Sequence, residues 1–196
     1  MKTILKLFVA VGILFHTAFA QVGWSVDPAH TNARFAVKHL GLAMIDGEFT
    51  SLEGSVDAKT ADNFEGAKVN FSIDANSINT RVEARDTHLK SDDFFNVEKF
   101  PKLTFKNGVL KKGTNGQFTL IGDLTIRDIT KQVSFEVTQN NGIITDPWGM
   151  TRAGFTAKTT INRLDYNVSY NDILPSGIPA VAANVDIIVN VEVVKN

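Results

Sequence analysis

Between Ser77 and Leu89 the chain gathers Asn79, Arg81, Arg85, Asp86 and His88 beside apolar Val82 and Leu89. An arginine can hold a phosphate or carboxylate in a two-point fork. A His with an Asp could do acid–base work. The same residues could instead form a structural network, with Arg85 and Asp86 tying a helix to a sheet. Beyond residue 20 the histidines are His30, His39 and His88. Three His with Asp86 could in principle ligate a metal, but their spacing matches no diagnostic ligand pattern. His30 follows a proline in a turn, where a hydrogen-bonding role suits it better. There is no nucleophile motif and no Gly-rich phosphate loop. No catalytic residue, metal ligand or cofactor is therefore assigned.

The elements around this cluster are strands. Period-two alternation dominates. In Val69-Asn70-Phe71-Ser72-Ile73-Asp74-Ala75 each odd position is apolar. Phe118, Leu120, Leu124 and Ile126 share a face, as do Val133, Phe135 and Val137. Phe155, Ala157, Thr159 and Ile161 repeat the pattern, and Val185 to Val193 closes it. Earlier strands are predicted at 32–38, 43–58 and 102–111. The 43–58 stretch is broken by Gly47 and Gly54, which predicts a bend or bulge. Turns are expected at Lys112–Gly116, Asp128–Thr130 and Asn140–Gly142, and connections this short demand antiparallel neighbours. Thr80-Arg81-Val82-Glu83 has the form of a helix capping box and predicts a helix to about Ser91, ending before Phe94-Phe95. About eight strands with one helical interruption can make a sandwich or a closed barrel, and closure removes exposed edges.

Composition narrows the function. The first twenty residues read as a targeting segment, with Lys2 and Lys6, an apolar run from Leu7 to Phe15, and Ala18-Phe19-Ala20 as a small-x-small cleavage pattern. Cleavage after Ala20 would leave residues 21–196 as one domain. There is no Cys, so neither disulfides nor thiolate metal sites are available. Without Lys2 and Lys6, acidic residues outnumber basic ones by about three. That excludes a basic field for nucleic acid and a polybasic membrane anchor. Eleven phenylalanines lie beyond residue 20, against two Tyr and two Trp, which suits a thick dry interior. Trp24 could plug a barrel end. Trp148 falls in a loop, Asp146-Pro147-Trp148-Gly149.

Four ordered blocks resemble a known family. Trp24-Ser25-Val26-Asp27-Pro28-Ala29-His30-Thr31-Asn32-Ala33-Arg34-Phe35, with Val37 to Leu40, is similar to the opening of the YceI-like polyisoprenoid-binding proteins. Ser77-Ile78-Asn79-Thr80, Arg85-Asp86-x-His88-Leu89 and Ser91-x-Asp93-Phe94-Phe95 resemble its central signature, continued by Phe100-Pro101 and Phe105. Gly122 to Arg127 with Thr130-Lys131 resembles the third block, and Thr160-Ile161-Asn162-Arg163-x-Asp165-Tyr166 the fourth. Asp128, Gln132 and Tyr166-Asn167 depart from the family's usual Gly, Pro and aromatic-Gly. They sit in apparent turns.

The resemblance implies an all-β, eight-stranded antiparallel lipocalin-like barrel with one short helical insertion, exported to the periplasm or secreted. It would hold a long-chain isoprenoid or related amphiphilic lipid. A closed barrel needs no partner, though relatives can form homodimers. On this reading Phe35, Val37, Phe49, Phe71, Ile73 and Phe105 point inward. So do Phe118, Leu120, Phe135, Phe155 and Ile161, and several of the eleven line the lipid channel. Arg81, Arg85, Asp86, His88 and His39 would meet the head group at the barrel mouth. Burying hydrocarbon gives roughly 0.8 kcal/mol per CH₂, so each isoprene contributes about 3–4 kcal/mol gross, less the cost of ordering and association. The competing expectations are a lipid-modifying enzyme using His/Asp acid–base chemistry and a partner-binding stress module with a filled barrel.

Overall fold

The structure is a computed structural model that describes residues 21–113 and 117–196. The expected targeting segment and the centre of the Lys112–Gly116 turn lie outside the described residues. The strand segments are β1 (Val22–Val26), β2 (Asn32–His39), β3 (Ala43–Phe49), β4 (Leu52–Ala58), β5 (Lys68–Asp74) and β6 (Ile78–Asn79). They continue as β7 (Lys102–Lys112), β8 (Phe118–Ile126), β9 (Ile129–Thr145), β10 (Thr151–Asn162) and β11 (Val181–Lys195). Among the described residues the one α-helix is α1 (Glu83–Lys90), between β6 and β7.

Three of the long strands are each broken once. β11 pairs with β2 over Val181 to Asn190 and with β1 over Val193 to Lys195, so β1 and β2 form one stave. β4 lies against β1 while β3 lies against β2. β5 and β6 continue the pattern. The result is a closed antiparallel barrel of eight staves. Side chains alternate in and out as a pleated strand requires. Along β8, Phe118, Leu120, Gly122, Leu124 and Ile126 are buried and the residues between them are partly exposed.

Three local expectations are corrected. The bend in 43–58 falls at Thr50–Ser51, between the two glycines, where Thr50 N–H donates to Ser77 O (3.2 Å) and Ser51 N–H to Ser77 Oγ (3.0 Å). Asn140-Asn141-Gly142 is not a turn. It is a bulge inside β9, with Asn141 and Gly142 left-handed (φ 52 and 73) and the register slipping at Ala153/Gly154. Asn and Gly tolerate that conformation in a bulge as readily as in a turn. The β9–β10 reversal comes later, at Asp146–Met150, closed by Asp146 N–H to Met150 O (2.9 Å). The Asp128 turn is real but earlier than expected: Ile126 pairs with Ile129, leaving Arg127-Asp128 as its two residues.

The helix is present, but Thr80 does not cap it. Val82 is the cap residue and makes no side-chain bond. Asp86 reaches back from the first turn instead, accepting from Thr80 N–H (2.8 Å) and Thr80 Oγ (2.5 Å).

The two ends differ. At one, fully buried Trp24 packs its ring 5.1 Å from Phe64, which meets Phe155 edge-on at 4.9 Å. At the other, α1 and residues 91–101 fold over the opening. Arg127 anchors that cap: its Nη1 donates to Asp92 O (2.9 Å), Phe94 O (2.8 Å) and Asn167 O (2.7 Å).

Candidate functional site

Between the Trp24 plug and the α1 cap lies a cavity of about 200 Å³. An engineered apolar cavity of roughly 150 Å³ stays dry and takes benzene, so this space is large enough for a hydrocarbon guest. Nearly all of its exposed surface is carbon.

Of the eleven residues expected to face inward, Phe35, Val37, Phe49, Phe71, Ile73 and Phe105 line the cavity, as do Leu120, Phe135, Phe155 and Ile161. Phe118 does not. It is buried, but it starts β8 opposite Lys112 at the plugged end, where side chains fill the barrel. The lining also includes residues outside the expected set. Leu89, Phe94 and Phe95 close it from the cap, and Val185, Ile187, Val189 and Val191 supply one wall from β11. The β11 face was readable from its alternation. The cap residues show no period and were not readable as lining.

The cavity is hollow because its rings lie against the wall. Phe35 pairs across the ladder with Gly47, and a methyl built on Gly47 would stand 2.3 Å from Phe35 Cζ. Gly122 receives Phe105 in the same way, at 2.5 Å from Cζ, and Gly54 takes Phe71 at 3.2 Å from Cδ1. Each glycine gives up a side chain so that a neighbouring ring can lie flat, as glycines do where close approach is needed.

The residues expected at a head group do not line the cavity. Arg85 donates from Nε to Thr80 Oγ1 (2.7 Å) and from Nη2 to Thr80 O (2.8 Å). With Asp86 on the same threonine, the pair clasps α1 to the end of β6. His88 Nε2 lies 2.8 Å from Asp93 Oδ2, with its ring edge-on to Phe94 and Tyr170. Arg81 and His39 are exposed, and Arg81 is left-handed (φ 67).

Two arginines do reach the cavity lining. Arg34 sits between inward Ala33 and Phe35 and its own side chain is exposed. Arg163 is 4% exposed and gives its donors to backbone carbonyls: Nε to Ala182 O (2.9 Å), Nη1 to Val168 O (2.6 Å) and Nη2 to Val181 O (2.9 Å). Burial pushes its pKa below the ordinary guanidinium value, but an arginine stays charged regardless.

A second charged cluster lies outside the barrel. Arg152 donates to Asp27 (2.7 Å), Asp146 (2.6 Å) and Glu192 (2.6 Å), and His30 Nδ1 lies 2.9 Å from Asp27. The ligand atoms of Asp27, His30 and Glu192 lie within 4.8 Å of one another, but the cation balancing these carboxylates is Arg152 itself. Bonding to Arg152, then to His30, holds the Asp27 carboxyl down at about 2. Asp27 raises His30 in turn. Asp27 therefore stabilises the fold above its ordinary value of 3.8 and loses that contribution as pH falls toward 2. His30 acts in the opposite sense: its contribution is full below 6.5 and fades as pH rises through its raised folded value. Arg152→Met should lower the stability of the fold at pH 5–6, because the three carboxylates lose their shared cation. Its acid unfolding should begin at higher pH than that of the wild type. Melting curves from pH 2 to 8 check this, and identical acid limbs for the two proteins would contradict it.

A family model described as the YceI-like domain matches residues 24–193. A UPF0312 protein of Yersinia enterocolitica is 38% identical over 200 residues, covering 99% of this chain and 97% of the relative. One from Yersinia pestis is 36% identical over the same shares. Among solved structures, Burkholderia cenocepacia BcnA aligns with a TM-score of 0.70 at 20% identity, over 85% of this chain and 98% of that one. A Campylobacter jejuni YceI protein aligns at 0.65 and 24%, over 81% and 90%. A Saccharophagus degradans domain, described as polyisoprenoid-binding and implicated in plant cell wall breakdown, aligns at 0.62 and 13%, over 88% and 98%.

Proposed function

The chain belongs to the YceI-like family, and from that premise we propose that it binds one long-chain isoprenoid-type lipid in its barrel and catalyses no reaction. The lipid's hydrocarbon fills the cavity and its head group stays outside. The protein serves as a carrier or reservoir in the periplasm, reached after cleavage behind Ala20. The observation that carries this reading is the carbon wall of the cavity. Such a wall rewards burial of chain at roughly 25 cal/mol per Å², and the buried cation at its edge, Arg163, already holds three backbone carbonyls. The Saccharophagus domain's description as polyisoprenoid-binding, on the same fold, supports the same ligand class. Acid–base catalysis on the bound chain has little support: His88, Asp86 and Asp93 all lie off the cavity wall.

The test is organic extraction of protein purified from cell envelopes, followed by mass spectrometry. One long-chain lipid per protein is expected. A protein that is empty and takes up no prenyl probe would end the carrier reading, and turnover of the probe would favour an enzyme.

A narrower test concerns the bore. Gly47→Ala must swing the Phe35 ring into the lumen, since the new methyl would clash at 2.3 Å. We expect bound lipid to fall about tenfold while stability drops by about 1 kcal/mol. Unchanged lipid content would show that the ring does not set the bore.

A further inference from the structure

At the capped end the barrel carries an apolar rim that is exposed among the described residues. The β2–β3 hairpin projects Leu42 at its tip, 85% exposed, with exposed Met44 beside it. The loop before β11 presents Ile173 and Ile178, 55% and 41% exposed. The two tips are joined: Leu40 N–H donates to Ala180 O (3.0 Å), and a methyl on Gly41 would stand 3.4 Å from Ile178 Cγ2. Left-handed turns at Leu40, Gly41 and Gly177 fix how the tips project.

The rim is continuous with the cavity. Val181 directly follows Ala180, Val37 directly precedes Lys38, and both valines line the cavity. Its charge pattern is also distinctive. From Ile173 to Val185 there is no ionisable residue, and from Val37 to Ile45 the only ones are Lys38 and His39. Asp46 and Asp172 flank the patch, and the Asp172 carboxylate accepts from Tyr170 OH (2.8 Å).

We propose that this rim docks on the surface of a lipid bilayer, where the cargo is taken up and released. The inference rests on the carrier reading above. An isoprenoid long enough to need a carrier has no free pool in water, so the mouth must reach a membrane. Exposed Leu, Met and Ile on two tight, uncharged tips suit shallow insertion below the head groups. Lys38 and His39 behind them face the lipid phosphates. Contiguous apolar side chains at a cavity mouth mark an interaction site, unlike single exposed residues scattered over a surface.

The test is flotation of the mature protein with vesicles of phosphatidylethanolamine and phosphatidylglycerol. Wild type should float with the vesicles, and Leu42→Asp/Ile178→Asp should lose at least tenfold of the bound fraction. Trp148→Asp, at the opposite end, should float like wild type. All three should melt alike and load equally with a prenyl probe added from ethanol, because none of these residues lines the cavity. Prenyl transfer between vesicles should slow in parallel with the loss of flotation. Failure to load the probe would count against the carrier reading alone. Normal loading with no flotation of wild type would overturn the docking proposal. So would equal flotation of the rim variant, loss of flotation only in Trp148→Asp, or a dimer abolished by the rim substitutions.

Discussion

Ala157→Phe is expected to weaken lipid retention sharply while leaving the barrel intact. Ala157 lies in the middle of β10, paired with Val137 and Val189, and its side chain faces the cavity. Adding a ring there places a benzene-sized group in a space of about 200 Å³, and an apolar cavity of roughly 150 Å³ holds one benzene. The guest loses room for about one isoprene unit, whose burial is worth about 3–4 kcal/mol gross. Allowing for the ordering cost no longer incurred, affinity should fall at least about 30-fold. Stability should hold or rise, since the new ring fills a void. Lipid-to-protein ratio by mass spectrometry, with melting temperature alongside, checks both halves. Full retention of lipid would show that the chain does not run past β10.

Arg163→Ala should produce the largest loss of stability among these substitutions. The guanidinium ties the turn after β10 to the start of β11 through Val168 O, Val181 O and Ala182 O. Removing it takes that donor from three carbonyls, one buried and two part-buried, each worth about 1–3 kcal/mol where water does not replace it. Water entering the vacated space offsets part of this, so a net loss of about 3–5 kcal/mol is expected. That corresponds to roughly 6–20 °C in melting temperature for a domain of this size. Arg163→Lys should recover only part of it, because a point donor cannot span three acceptors. A melting temperature within 2 °C of wild type for Arg163→Ala would refute the role.

The strands were readable from sequence because one face of each is dry and side chains alternate with period two. That signal is local and survives any register. What escaped the reading was set by register. Gly47 and Gly54 look like strand breakers along the chain, but their task is cross-strand: each lies opposite a phenylalanine, Phe35 and Phe71. The Arg152 cluster was invisible for the same reason, since Asp27, Asp146 and Glu192 come together only when the barrel closes. The Asn140–Gly142 triplet misled because left-handed backbone serves bulges and turns alike. The Ser77–His88 cluster was found but its target was not. Its polar groups bond locally, to Thr80 and Asp93, rather than converging on the cavity. Phe118 had the right phase but the wrong height in the barrel.

The seam of the barrel joins residues from opposite ends of the chain: Trp24 to Val26 lie against Val193 to Lys195, and Asn196 N–H donates to Gly23 O (3.0 Å). Until those final residues arrive, β1 and the β10 side of the sheet remain two raw borders, able to pair with any neighbouring chain. A polypeptide without residues 185–196 is thus an open ribbon, prone to aggregate and unable to hold a guest. The vessel exists only once β11 has closed against both borders.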